Sequence, residues 1–150
     1  MMQEKTSPPS HKGHKESQRG CEGGVFLVYE NPVSKLIVDC AFKVHTAIGP
    51  GLMESAYHEC MMKEFCKRSI AFKSEHHMPI WYDGDQLKTP YRVDFLVDDC
   101  VIVELKSVEK ILPIHEAQTL TYLRLSKYKM ALLINFSAPL IKDGIKRFVL

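Results

Sequence analysis

The sequence predicts one α/β domain. Two stretches with apolar residues at helical spacing come first, three runs with strand-like alternation follow, and one more helical stretch precedes two final strands, giving the order α, α, β, β, β, α, β, β. With 150 residues, 45% of them hydrophobic, the chain can bury one core and is too short for two.

Residues 1–24 precede this pattern. They are rich in Ser, Pro, Lys, Gln, Gly and Glu and almost free of large apolar side chains, the composition of a disordered tail, so the domain is expected over 25–150. His11 and His14 fall in the tail and read as solvated residues. The first helix opens at "NPVSKLIVDCAFKVHTAIGPG": Asn31 can cap it, and Pro32 suits the first helical position. Val33, Leu36, Ile37, Cys40, Ala41, Val44 and Ile48 recur at helical spacing until Gly49 and Pro50 stop it. A second helix, "LMESAYHECMMKEFCKRS", should end near Ser69, with Met53, Tyr57, Cys60, Met61 and Phe65 on its core side.

From about Lys73 the period becomes that of a strand. "SEHHMPIWYDGDQL" holds an apolar segment before the turn signal Asp83-Gly84, and "YRVDFLV" and "VIVELKSV" flank Asp98-Asp99, which makes a three-strand meander. His76 and His77 are adjacent, so a strand points them to opposite faces and they read as surface residues; Trp81 is expected to pack. Pro113 starts the helix "PIHEAQTLTYLRLS", "YKMALLINF" is apolar enough for a central strand, and "LIKDGIKRFVL" has an Asp-Gly turn before an edge strand.

The formal charge of +2, from 20 basic and 18 acidic residues, excludes a polybasic mode of nucleic-acid binding but leaves room for a local basic groove. The five cysteines, Cys21, Cys40, Cys60, Cys66 and Cys100, are odd in number and form no CxxC pair, which fits reduced thiols in a cytosol. The N-terminus lacks the apolar stretch of a signal peptide, and no run approaches the ~20 apolar residues of a membrane span, so a cytoplasmic protein is expected.

One strand is chemically odd. "CVIVELKSVE" carries Glu104 and Lys106 on one face of an apolar run, and two ionised groups there cost several kcal/mol each, about that much per ion, unless something compensates. Asp94 is a second acid inside the preceding apolar strand. With a three-residue loop of Asp98, Asp99 and Cys100, Val97 faces Val101, Phe95 faces Val103, Val93 faces Leu105, and Asp94 faces Glu104. A two-residue loop would set Asp94 against Val103 and sorts the side chains less well. Two facing carboxylates repel unless a positive group lies between them, and a divalent cation answers that need. Mg²⁺ typically takes one or two carboxylates and leaves its other positions to water and phosphate, with Mn²⁺ the alternative ion. Lys106 could then orient the attacking water or offset charge on the phosphate. The plainer alternative is a half-exposed Glu104–Lys106 salt bridge.

Helix residues add candidates. His115, Gln118 and Tyr122 share a face; Gln118 could hold a metal-bound water or a phosphate, and Tyr122 could pack or bond a backbone group. Glu54, in the first turn of the second helix, either complements the helix dipole or brings a further carboxylate near the metal.

These residues resemble the GxxExxY proteins, a branch similar to the PD-(D/E)XK nuclease superfamily. "GLMESAY" supplies Gly51, Glu54 and Tyr57; Asp94, Glu104-Leu105-Lys106, Gln118, Tyr122, "LLINF" and "KDGIKR" follow in that family's order, over roughly residues 30–150. The resemblance implies a restriction-endonuclease-like α/β core, a central mixed sheet flanked by helices, and a Mg²⁺-dependent site that cleaves phosphodiesters. By the same resemblance Asp94 and Glu104 would hold metal, Lys106 would assist the water, Glu54 would be the helix-borne acid and metal neighbour, and Gln118 the accessory polar group. Val93 stands where the superfamily's name has proline.

The expected function is therefore a metal-dependent nuclease acting on DNA or RNA. Its alternative is a catalytically inactive module of the same fold that binds nucleic acid or protein. Arg92, Lys110, Arg124, Lys142 and Arg147 are candidate phosphate contacts, with Tyr122 beside them, although scattered basic residues most often only solvate a surface. Duplex cleavage needs two sites, which a homodimer would supply.

Overall fold

The structure, a computed structural model, describes residues 31–150; the tail expected over 1–24, with its two histidines, and the segment 25–30 lie outside the described residues. Helix α1 spans Pro32–Ile48, and its cap is the one the sequence announces: the Asn31 Oδ1 accepts the N–H groups of Val33 (2.9 Å) and Ser34 (3.1 Å). Gly49, at φ +76°, and Gly51, at φ +108°, carry the chain through the left-handed corner into α2, Glu54–Lys67. Met53, expected in the core, is instead the residue just before α2 and is 77% exposed. The helical periodicity that placed it inside does not apply before the helix has begun.

The strands are β1 (Phe72–Met78), β2 (Trp81–Tyr82), β3 (Asp85–Gln86), β4 (Tyr91–Val97), β5 (Val101–Lys106), β6 (Met130–Asn135) and β7 (Ile145–Val149), with α3 (Pro113–Leu125) between β5 and β6. Five of them make one sheet in the order β1-β4-β5-β6-β7. The β1-β4-β5 meander is antiparallel as expected, β5 and β6 are parallel across the α3 connection, and β7 closes the far edge antiparallel. All six residues of β6 are buried, as a strand flanked on both sides requires.

Asp83-Gly84 closes a separate two-stranded ribbon of β2 and β3, and Trp81 on it is 60% exposed rather than packed. The Asp143-Gly144 pair belongs to a 3₁₀ turn, Ile141–Gly144, before β7; a Cβ at Gly144 would run into the Asn135 carbonyl oxygen. Among the described residues no helix is long and apolar enough to cross a membrane.

Apolar side chains cover both faces of the sheet. Ile37, Ala41, Tyr57, Met61 and Phe65 of α1 and α2 meet Phe95, Val97, Val103, Leu105 and Leu132 on one face. Leu123 of α3 meets Met78, Tyr91, Val93, Leu96 and Ile102 in the second cluster. Strict alternation would keep Val93 with Phe95 and Met78 with Phe72, yet each pair is split between the two clusters. Both strands therefore reverse their facing once along their length. The reversal falls between the pairs Ser74–Phe95 and His76–Val93, at Glu75 and Asp94, and Glu75 has a left-handed φ of +46°. This break sets the position of the site.

Candidate functional site

Strands β4 and β5 pair in the register the three-residue loop predicts: Val97 with Val101, Leu96 with Ile102 and Phe95 with Val103. There the ladder ends. The expected Val93–Leu105 pair does not form, because beyond the break Val93 joins one cluster and Leu105 the other. In the gap the two acids bond to the opposite backbones. The Asp94 N–H donates to Glu104 Oε1 (3.1 Å), and the Leu105 N–H donates to Asp94 Oδ2 (2.7 Å). Each carboxylate thus occupies a place where a strand carbonyl would otherwise accept.

Glu104 is 4% exposed, and its carboxyl is pushed up to about 8. Burial is the main cause and the charge of Asp94 the next, with Glu54 adding to them; the Asp94 N–H and Lys106 act in the opposite sense. Lys106 is half-buried, one pleat further along β5 and in register with Asn135 of β6. Among the described residues it forms no ion pair with either acid, so a simple Glu104–Lys106 bridge is not what the strand holds.

Glu54 arrives from the other side, and the G-x-x-E-x-x-Y spacing explains how. The Tyr57 hydroxyl donates to the Gly49 carbonyl (2.6 Å) and accepts from the Leu52 N–H (3.1 Å), while its ring stacks on Phe136 at 4.5 Å. The Ser107 hydroxyl, next to Lys106, donates to the Leu52 carbonyl (2.5 Å). The corner before α2 is therefore tied to the end of β5. Glu54 starts its helix there, with its carboxyl raised first by lost solvent and then by Asp94, and lowered by Lys106, His58 and Arg92. Buried Asn135 completes the support: its Oδ1 accepts from Val108 N–H (3.1 Å) and Ser137 N–H (3.2 Å), and its Nδ2 donates to the Val108 carbonyl (2.8 Å).

A cleft of about 420 Å³ opens between α2 and the kinked β1–β4 pair. Glu54, Ser55, His58, Glu59 and Met62 form its helix wall, and Ser74, Glu75, Arg92 and Asp94 its strand wall. His58 did not stand out in the sequence, though it lies four residues after Glu54 and so on the same helix face. Its ring stacks on Phe95 at 4.3 Å, with Nε2 3.3 Å from the Ser74 hydroxyl and 3.4 Å from the Asp94 carbonyl oxygen.

Other expected residues lie apart from this group. The Gln118 Nε2 donates to the Tyr122 hydroxyl (2.8 Å), and Tyr122 stacks on Tyr91 at 4.7 Å while its carbonyl accepts from the Tyr91 hydroxyl. Gln118 and Tyr122 thus bond each other and Tyr91 rather than the carboxylates. Lys110, Arg124, Lys142 and Arg147 are exposed on separate elements. Glu54, Asp94 and Glu104 do not close into a single ligating group: among the described residues no three His, Cys, Asp or Glu side chains are placed to hold one ion together. Asp94 and Glu104 alone fit a hard cation that keeps much of its water, since they offer oxygen donors and Glu104 is disfavoured as an anion beside Asp94.

A five-stranded mixed sheet flanked by helices, with two acids and a lysine where β4 and β5 part, defines a single α/β domain. A family model described as the PD-(D/E)XK nuclease superfamily matches residues 31–148, and the chain belongs to that superfamily. No curated protein and no solved structure matches the chain.

Proposed function

We propose that this protein is a divalent-metal-dependent phosphodiester hydrolase of the GxxExxY branch, acting on nucleic acid. The observation that carries the reading is the meeting of Asp94 and Glu104 across the strand gap, with Lys106 beside them and in no ion pair among the described residues. Asp94 and Glu104 would hold Mg²⁺ or Mn²⁺, which supplies a nucleophilic water at neutral pH and offsets charge on the phosphoryl oxygens. Lys106 orients that water and balances charge on the phosphate through its ammonium group. Glu54, on the helix wall of the cleft, accepts a proton on the substrate side, and its raised carboxyl suits that transfer. Gln118, with its bond to Tyr122, serves from a greater remove as the accessory polar group, and Lys110 and Arg124 are outlying phosphate contacts. An odd number of cysteines with no CxxC pair fits a reducing cytoplasm, where we place the protein. Duplex cleavage would use a homodimer.

Labelled single- and double-stranded DNA and RNA, incubated with Mg²⁺ or Mn²⁺, test the reading. Cleavage should fall at least about a hundredfold in Asp94→Ala and Lys106→Ala. Undiminished cleavage in either variant rejects these residues as catalytic.

One observation favours a second reading. Both carboxylates already accept backbone N–H groups, so they can serve as staples in a domain that binds nucleic acid or protein without cleaving it. Salt-sensitive binding that survives Asp94→Ala, with no cleavage under either metal, is its signature.

A further inference from the structure

We propose that the cleft between α2 and the β1–β4 kink is a nucleobase subsite that selects bases carrying an exocyclic amine, such as cytosine and adenine. The proposal rests on the nuclease reading and gives the substrate chemistry next to the scissile bond. Asp94 belongs both to the metal-holding pair and to the strand wall of the cleft, so a strand placed with its phosphate at Asp94 and Glu104 sends a neighbouring nucleoside into this space.

A phosphate does not suit the cleft. Glu54, Glu59, Glu75 and Asp94 face it against one guanidinium, and Arg92 is already 3.3 Å from the Glu75 carboxylate. Such a lining repels anions and offers acceptors. A base brings what it lacks, since an exocyclic amine donates to carboxylates while uracil and thymine offer a single ring N–H flanked by two carbonyls that carboxylates repel.

The cleft also has a surface for a flat ring. One face of the His58 imidazole lies against Phe95, with 14° between the planes, and His58 and Met62 both line the cleft, so the subsite sets the base on the opposite face of the ring. Histidine rings stack on unpaired bases, and the sulfur of Met62 adds a polarisable contact. Glu59, one helix position beyond His58, stands at the side of such a stacked base.

The test titrates the full chain with cytidine, adenosine, uridine and inorganic phosphate as separate probes while following the His58 ring signals by NMR. Cytidine and adenosine should move those signals with affinities about tenfold tighter than uridine, phosphate should leave them unmoved, and Glu59→Ala should narrow the difference between bases. Equal binding of uridine, a response to phosphate alone, or no response to any nucleoside overturns the subsite. Cleavage of oligonucleotides differing only in the base beside the cut separates the two readings. Equal rates for all bases sink the subsite and leave the nuclease; selective nucleoside binding with no cleavage supports the subsite and sinks the nuclease.

Discussion

Glu104 pairs deep burial with a neighbouring negative charge, and the consequence is measurable in stability before any activity is known. Its carboxyl lies near 8 in the folded protein against an ordinary value of 4.5. Between those values the unfolded chain has lost the proton and the folded chain keeps it, so the folded state binds more protons and stability falls as pH rises. The contribution is fully present below about 4.5 and is lost by about 8. Glu104→Gln mimics the protonated form, and its amide oxygen can still accept the Asp94 N–H. Calorimetry should therefore find the variant several degrees more stable than the wild type at pH 8 and nearly equal to it at pH 4.5, since ~1 kcal/mol moves the melting temperature by roughly 2–4 °C at this chain length. A wild type that gains on Glu104→Gln as pH rises would contradict the assignment. Mg²⁺ should raise the melting temperature of the wild type at pH 8 more than that of the variant, because only a carboxylate recovers its charge on binding the ion.

Among the elements, the corner between α1 and α2 shows what the G-x-x-E-x-x-Y spacing accomplishes. Gly51 takes the left-handed backbone, Tyr57 reaches back one helical turn to bond both Gly49 and Leu52, and Glu54 lies between them at the helix start. Tyr57→Phe keeps the stacked ring and removes both bonds, leaving the half-buried Gly49 carbonyl and the exposed Leu52 amide to water. The expected cost is about 0.5–1.5 kcal/mol in denaturant unfolding, with faster hydrogen exchange at the Leu52 amide. Full stability in Tyr57→Phe would mean that the corner is held by Ser107 alone. The ends of these elements were legible because caps are local: Asn31, Pro32, Gly49 and Pro113 act on backbone groups a few residues away. Met53 was not legible, since helical spacing says nothing about where a helix begins. Trp81 misled for a related reason, because an aromatic residue before a turn signal reads the same on a buried strand and on an exposed ribbon.

The whole molecule depends on a reversal that the apolar pattern conceals. Tyr91, Val93, Phe95 and Val97 alternate with regular period, which reads as one buried face, yet the first two serve the α3 side and the last two the α1–α2 side. Both sides of the sheet are apolar, so a half-turn at Asp94 leaves the hydrophobic pattern unchanged and the sequence cannot register it. The Asp98-Asp99-Cys100 loop, by contrast, fixed the β4–β5 register correctly up to the break, and with it the approach of Asp94 to Glu104. His58 stayed hidden because its neighbours in space, Ser74, Asp94 and Phe95, come from strands distant from it in the sequence. The reversal depends on Glu75, whose φ of +46° costs an ordinary residue ~1–2 kcal/mol. Glu75→Gly relieves that cost and gives up an exposed pair with Arg92 worth little, so unfolding should find it within about 0.5 kcal/mol of the wild type or more stable. Glu75→Val favours extended backbone at the same position. It should lose about 1–2 kcal/mol and, by straightening β1 against β4, draw Asp94 away from the Leu105 N–H, which would appear as lost hydrogen-exchange protection at Leu105. If valine is tolerated as well as glycine, the kink is not held by Glu75, and the placement of Asp94 must come from its own bond to β5.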